Sequence, residues 1–311
     1  MQYLHTTENS RQNGKTASFF LPVLLLLLLP LCLAAAPART PKAAAEPASQ
    51  SAPTAQAAPV QAQPVQAMPQ RIQPEAAFAL MAAEAEKGSG NAMLTLGRFY
   101  EQGVGVARNY TKAMEWYEKA TKAGQPEGYY NLGVCYEIGM GVTADAAKAV
   151  QNYQKAADMG LALAMYKLSS VYIAGTGAAK DAAKGVAQLE KAADAGMAVA
   201  ANDLGAIYLS GLLGQKKDEK KALAMFTKAA DLGNLEAVKN VAVMHKDGVG
   251  TKADPATAYT WYLIARRGGY AGEDIARMLG LLEGSLTPAQ AQKAQKDADT
   301  WIENYVKRQA G

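Results

Sequence analysis

Apolar residues recur along the chain at the spacing of a helix face, in blocks of nearly constant length. In the clearest block, residues 91–124, Leu96 and Tyr100 are four positions apart, and Tyr117 and Ala120 are three apart. These spacings place side chains on one face of an α-helix. A glycine-containing loop separates the two stripes, so the block predicts two amphipathic helices that pack against each other.

Each block closes on a glycine, and these glycines set the period of the chain. They are 36, 36, 36, 37 and 36 residues apart, at Gly88, Gly124, Gly160, Gly196, Gly233 and Gly269. Self-similarity at such a period is typical of solenoids, in which each unit buries its apolar face against its neighbours. The sequence therefore predicts an all-α solenoid of antiparallel helix pairs, with repeats at residues 91–124, 125–160, 161–196, 197–233 and 234–269.

Local residues within each repeat support the helix pair. A small residue follows the core position of every first helix and permits a close helix crossing: Gly97, Gly133, Ser169, Gly205 and Ala242. An N-cap precedes every second helix, at Asn109, Asp145, Asp181, Asp218 and Asp254. The second helices each direct one large side chain toward the core: Tyr117, Tyr153, Leu189, Phe226 and Tyr262.

The two ends of the array carry sequences that predict capping helices, which solenoids need to cover their terminal repeats. An apolar stretch that ends at the first closing glycine predicts a lone helix before the first repeat. Residues 270–311 predict a further first helix and then a final helix with Thr287 as its N-cap. Trp301 and Tyr305 of the final helix should face the last repeat. The repeat domain is thus expected to span residues 75–311.

The repeated motif resembles that of the Sel-one-like repeat (SLR) family, a relative of the tetratricopeptide repeats with a slightly longer unit. The pattern L-G-x-x-Y-x-x-G-x-G-V, then D-x-x-K-A-x-x-W-Y-x-K-A-A-x-x-G, is matched well by residues 91–124 and 125–160 and more loosely by the later repeats. The resemblance implies a right-handed superhelix that acts as an adaptor or scaffold. Several exported bacterial members carry a cysteine pair in every repeat, whereas Cys135 is the only cysteine in these repeats.

Residues 1–38 have the composition of an export signal. A positively charged start precedes an apolar run from Phe19 to Leu33, and cleavage after Ala38 preserves the A-x-A pattern. An uncleaved anchor is the alternative, although prolines interrupt the run. Lipid attachment at Cys32 is disfavoured because Leu, rather than Gly, Ala or Ser, precedes it. The expected location is periplasmic or secreted, with membrane contact only through an uncleaved or lipidated leader.

The segment between the leader and the repeats, residues 39–74, is rich in Ala, Pro and Gln. It holds almost no large apolar side chain, so it cannot bury enough surface to offset the entropy of ordering. This composition predicts a disordered linker. A Pro-rich docking peptide is the alternative, but no clear P-x-x-P ligand with a basic anchor is present.

Composition and motifs argue against catalysis and against nucleic-acid binding. The 32 basic and 28 acidic residues give a net charge of +4, far from the clustered cations of a nucleic-acid binder. His245 is the only histidine after the leader and takes a position that the other repeats fill with Tyr. We expect it to be a packed residue, not a catalytic or metal-binding one. No S-x-x-K or G-x-S-x-G motif occurs.

We therefore expect no enzyme activity, no metal and no cofactor. A cell-wall-associated or β-lactamase-like hydrolase is the alternative, and only the family resemblance suggests it. The surface left for a function is the side of the first helices that does not pack, which lines the concave side in arrays of this type. Its Tyr and aliphatic residues favour a peptide or a helix as the ligand. The predicted binding groove is lined by Arg98, Glu101, Glu127, Tyr130, Val134, Tyr166, Ser170, Asn202, Lys239 and Lys246.

Two interpretations of this strip stay open. In one, the groove makes the protein a non-catalytic scaffold whose partner is a protein or peptide of the cell envelope. In the other, the strip is the solvent-exposed side of a structural spacer. For Leu163 and Val199, burial between repeats is a further alternative. The sequence carries no signature of an oligomeric state.

Overall fold

A computed structural model describes residues 73–270 and 272–310 of the chain. Over these residues, helices joined by short loops are the regular secondary structure. These residues form thirteen α-helices and no strand. The helices are α1 Pro74–Glu86, α2 Gly90–Gln102, α3 Tyr110–Lys122, α4 Pro126–Ile138, α5 Ala146–Asp158, α6 Ala162–Ala174, α7 Ala182–Asp194, α8 Ala198–Ser210, α9 Glu219–Asp231, α10 Leu235–Asp247, α11 Pro255–Arg267, α12 Glu273–Glu283 and α13 Pro288–Ala310. No helix of this described part is long and apolar enough to cross a membrane. The predicted leader, 1–38, and the predicted linker as far as residue 72 lie outside it.

The helices pack in order along the chain. In each repeat a first helix (α2, α4, α6, α8 or α10) packs against the second helix that follows it (α3, α5, α7, α9 or α11). Each second helix also packs against the next first helix. At the ends, α1 covers α2, while α12 and α13 pack on α11. This order confirms the predicted all-α solenoid of helix pairs with capping helices.

Small residues on the first helices let large side chains of the second helices approach closely. The ring of Tyr153 packs on Gly133, where an added Cβ would lie 2.5 Å from ring atom Cε1. Tyr117 packs in the same way on Gly97. The predicted core residues of the second helices are all buried: Tyr117, Tyr153, Leu189, Phe226 and Tyr262.

Polar side chains cap the second helices as predicted. Asp145 accepts a hydrogen bond from the backbone N–H of Lys148 at 2.9 Å. The backbone N–H of Asp145 also donates to the carbonyl of Tyr136 in the preceding first helix at 2.7 Å. Each cap therefore fixes both the start of a second helix and the loop before it. The same two bonds form at Asn109, Asp181, Asp218 and Asp254.

The loop glycines meet two separate constraints. Gly139 and Gly141 have φ angles of 76° and 72°, which residues with a side chain rarely adopt. Gly141 also packs against the backbone of Tyr110, and an added Cβ would lie 2.7 Å from its carbonyl carbon. The fourth loop is one residue longer and breaks the pattern, because Leu213 takes a φ of 53° and Gly214 has open space around it.

The last helix closes the array through an aromatic stack. Thr287 Oγ1 accepts from the Gln290 N–H at 3.3 Å, and Gln290 Oε1 accepts from the Thr287 N–H at 2.9 Å, which is a capping box. Trp301 stacks on Tyr305 with ring centroids 5.4 Å apart and meets Trp261 of α11 at 5.7 Å. The predicted N-cap and the predicted contact with the last repeat are both confirmed.

Candidate functional site

We define the first-helix face as the side of α2, α4, α6, α8 and α10 on which the ten predicted binding residues lie. In the first repeat the Arg98 side chain is exposed. Glu101 is half-buried and accepts a hydrogen bond from the Tyr117 hydroxyl at 2.7 Å. Because Tyr117 belongs to α3, this bond ties the face to the core of the repeat.

The second repeat contributes three half-buried predicted residues. Tyr130 packs beside Tyr153 with ring centroids 5.5 Å apart, and burial raises the pKa of the Tyr130 hydroxyl. Val134 packs against the core cluster that contains Tyr153. Glu127 has one carboxylate oxygen, Oε2, that is buried without a hydrogen-bond partner. Tyr130 and Val134 therefore stabilise the repeat as well as lining the face.

Tyr166 and Asp203 form the central contact of the face. The Tyr166 hydroxyl donates to Asp203 Oδ2 at 2.9 Å and so joins α6 to α8. Ser170 Oγ lies 3.5 Å from the Tyr166 carbonyl oxygen, at the outer limit of a hydrogen bond. Asn202 is only 4% exposed, so the prediction that its side chain is open to a ligand is wrong. The reason is that α8 buries more of its residues than the other first helices do.

The two predicted lysines of the fifth repeat are both engaged. Lys239 Nζ donates to the Tyr270 hydroxyl at 3.1 Å and pairs with Glu236 at 3.3 Å. The Tyr270 hydroxyl in turn donates to Glu236 at 2.9 Å. Lys246 forms an ion pair with its neighbour Asp247. Carboxylates of the same helix therefore offset the positive charge of both lysines.

Polar contacts join successive first helices in a row that we call the polar seam. It consists of the Glu137–Lys167 ion pair at 3.0 Å, the Tyr166–Asp203 bond and the Asn202–Asn240 bond at 3.3 Å. Sequence reasoning missed Lys167, Asp203 and Asn240. Each stands one position before the core residue of its helix, where the first two repeats have Thr95 and Asn131. A polar residue at this position in every repeat was the signal.

Asp203 is the most unusual ionisable group on the face. It is 6% exposed, and its Oδ1 has no hydrogen-bond partner. Burial raises its pKa to about 6, and the hydrogen bond from Tyr166 only partly opposes that shift. The ion pairs among residues 73–270 and 272–310 do not include Asp203. At neutral pH its carboxylate is therefore largely ionised and has no cationic partner in the described chain.

An exposed apolar patch adjoins this contact. Leu163 and Val199 occupy equivalent positions of α6 and α8, and each is 43% exposed. The alternative that burial between repeats hides them is therefore wrong. Exposed aliphatic groups beside half-buried tyrosines suit contact with the apolar side chains of a ligand.

Cys135 and His245, the two candidate reactive side chains of the repeats, are both shielded. Cys135 is buried, and burial raises the pKa of its thiol to about 12, so the thiol stays protonated. His245 is half-buried, as expected of a packed residue, and burial lowers its pKa. Over the described ranges, no three His, Cys, Asp or Glu side chains gather as metal ligands. The first-helix face offers shape, hydrogen bonds and charge to a ligand.

Comparison with known proteins identifies relatives of this fold. The Sel1 repeat profile matches residues 90–125, 126–161, 162–197, 198–234 and 235–270. The chain is similar to the crystal structure of a Sel1 repeat protein from Oxalobacter formigenes, with 26% identity, a TM-score of 0.58, and coverage of 74% of this chain and 95% of that one. It is also similar to a protective antigen of uropathogenic Escherichia coli with an SLR fold, at 25% identity and a TM-score of 0.42, over 75% of this chain and 57% of that one.

One further relative matches over a short stretch. The ERAD-associated E3 ubiquitin-protein ligase component HRD3A of Arabidopsis thaliana is 42% identical over 50 residues. That stretch is 16% of this chain and 7% of the relative, so the match spans a small part of the relative's length. The five repeat matches, in contrast, cover more than half of the chain and coincide with the observed helix pairs. The protein therefore belongs to the Sel1 repeat family.

Proposed function

We propose that the protein is a non-catalytic scaffold that binds a protein segment on its first-helix face. Proteins of the Sel1 repeat family generally mediate protein–protein interactions. One observation carries the proposal for this chain: Leu163 and Val199, at the same position of the successive first helices α6 and α8, are each 43% exposed, and the half-buried Tyr166 follows Leu163 by about one helical turn. Desolvating such a patch against a partner is favourable, because its apolar area is removed from water.

The proposed place of this interaction is the cell envelope. The support is the leader-like sequence of residues 1–38, with a positive start, an apolar run and a small-residue end. Cleavage after Ala38 would give a mature chain that begins at Arg39. Mass spectrometry of the N-terminal peptide of the protein from its own cells tests this. An intact N-terminal peptide on membrane-bound protein would favour the uncleaved anchor instead.

A crosslinking pull-down tests the binding face. Three tagged full-length chains serve as baits in their own cells: wild type, Leu163→Ser/Val199→Ser, and the control Leu80→Ser/Met159→Ser. The control residues are 52% and 45% exposed and lie on α1 and just after α5, outside the first helices. We expect a partner that wild type and control recover and the face variant loses. Equal recovery by all three baits would contradict binding at this face.

A further inference from the structure

Charge is distributed unequally between the two sets of helices. The five first helices carry six carboxylates against four Lys or Arg residues. The five second helices carry twelve Lys or Arg residues against seven carboxylates. The first helices therefore carry a net charge of −2, whereas the second helices carry +5. A cationic ligand meets less repulsion on the side of the first helices, within the range of the Debye length.

Two carboxylates of this face have atoms that the fold leaves without partners. Glu127 Oε2 and Asp203 Oδ1 are both buried and make no hydrogen bond. Glu137 is different, because it pairs with Lys167 at 3.0 Å and accepts a hydrogen bond from the Tyr153 hydroxyl at 2.7 Å. A carboxylate that is held away from water and lacks a cation keeps its field at the surface above it. Asp203 is 6% exposed and fits this description, while Glu127 is half-buried, and the ion pairs of the described residues include neither of them, so a cation of a ligand is favoured at both places.

Leu163 lies between these two carboxylates along the array, and Val199 shares α8 with Asp203. Glu127, Leu163 and Val199 hold the same position on α4, α6 and α8, and Asp203 lies one helical turn beyond Val199. Neighbouring packed helices are about 10 Å apart, so the path from α4 to α8 is about 20 Å. About six residues of extended chain cover that distance.

We propose that the segment bound on the first-helix face is cationic at two points and apolar between them. Lys or Arg side chains of the segment lie at Glu127 and over the Tyr166–Asp203 contact, and aliphatic side chains pack on Leu163 and Val199. This inference rests on the proposed function and adds the chemistry of the partner.

Two synthetic peptides of about twelve residues test the charge of the ligand. One alternates Leu-rich and Lys-rich stretches, and the other has Glu in place of every Lys. Fluorescence anisotropy of each labelled peptide with the full chain gives the affinities. We expect binding of the Lys peptide, a loss of affinity as salt rises, and no measurable binding of the Glu peptide. Equal affinity for both peptides would overturn the proposal.

Charge-neutralising variants locate the site. Glu127→Gln/Asp203→Asn keeps the shape of both side chains, and Glu115→Gln/Glu118→Gln makes the same charge change on exposed positions of α3. The Lys peptide should bind the first variant about tenfold more weakly than wild type, with the control unchanged. An equal loss in both variants would show only a general attraction to negative protein, and no loss in either would remove the two carboxylates from the site.

The same pair of carboxylate variants, used as pull-down baits, separates this inference from the proposed function. A partner lost with Leu163→Ser/Val199→Ser but kept by Glu127→Gln/Asp203→Asn would leave the scaffold function in place and overturn the cationic partner. A partner kept by both would contradict the binding face itself. A partner lost with both, and kept by the α3 control, supports both proposals. Recovery of a second copy of this chain as the only partner would overturn the inference.

Discussion

Asp203 couples ionisation to the packing of two repeats, because its carboxylate is buried where α6 meets α8. The Tyr166 hydroxyl holds one oxygen at 2.9 Å, and the other oxygen has no partner. Burial without a cation disfavours the charged form of an acid relative to an exposed acid, and so raises its pKa. Its pKa of about 6, against an ordinary value of 3.8, expresses that shift.

Asp203→Asn should remove a pH dependence from the stability of the protein. The folded chain binds the Asp203 proton more tightly than the unfolded chain, because the folded pKa is about 6 and the unfolded value is 3.8. Protonation of Asp203 therefore stabilises the folded chain by about 3 kcal/mol. This stabilisation is fully present below about pH 4 and is lost as the pH rises through about 6. Urea denaturation of wild type and variant at several pH values gives the difference. A difference that stays constant over this range would contradict the shifted pKa.

Gly133→Ala should destabilise the second repeat. A Cβ at this position would lie 2.5 Å from Cε1 and 2.6 Å from Cδ1 of Tyr153, whose ring is fully buried and cannot move aside. Overpacking of this kind costs about 1–3 kcal/mol. The matched control is Gly280→Ala in α12, where no atom lies within 4 Å of the new Cβ. Thermal denaturation should show a lower Tm for the first variant only, and equal Tm values would contradict the close crossing.

At the scale of the helix, the caps decide where each second helix begins. Asn109 accepts a hydrogen bond from the Lys112 backbone N–H at 3.0 Å. Asn109→Ala removes this acceptor, so we expect the free energy of unfolding to fall by about 1 kcal/mol. Glu115→Ala in the same helix is the control, because its side chain is exposed and Ala is a good helix former. Asn109→Asp should retain the stability in denaturant titrations, and a loss equal to that of Asn109→Ala would contradict the capping role.

The helices, caps and core of the array were predictable because each depends on residues within one repeat. Leu96 and Tyr100 share a helix face at a fixed spacing, and Asn109 acts on a backbone group three residues away. The environment of Asp203 was not predictable in this way. Its burial depends on Tyr166, 37 residues earlier in the chain, and on how deeply α8 packs between its neighbours. The periodicity of α8 alone would predict that the Asp203 side chain lies in solvent.

For the same reason, helix spacing alone did not predict how accessible the side chains of the predicted binding residues are. Asn202 and Tyr166 follow the spacing that selects the outer side of a first helix. Lateral contacts between helices then bury Asn202 and engage the Tyr166 hydroxyl. Leu163 and Val199, for which burial was the alternative, are in contrast each 43% exposed. Contacts between repeats, rather than helix periodicity, therefore decide what a partner can reach.

At the scale of the whole molecule, each repeat contacts only its neighbours, so stability is expected to vary along the array. The C-terminal end contains one aromatic cluster. Trp301 stacks on Tyr305, meets Trp261 of α11, and donates from Nε1 to Asp231 at the end of α9 at 3.1 Å. One side chain of α13 thus links the fourth and fifth repeats to the end of the array.

Trp301→Ala should therefore loosen the last repeats while leaving the first ones unchanged. The loss of this large, half-buried ring should lower the free energy of unfolding of the C-terminal end by about 2–4 kcal/mol. Amide hydrogen exchange should become faster in α10 and α11 and stay the same in α2 to α5, because opening spreads only between neighbouring repeats. Val306→Ala on the same helix is the control, since its side chain is 58% exposed. Faster exchange in every helix from α2 to α11 would show instead that the array opens as one cooperative unit. In that case the C-terminal cap would stabilise the first-helix face over its whole length.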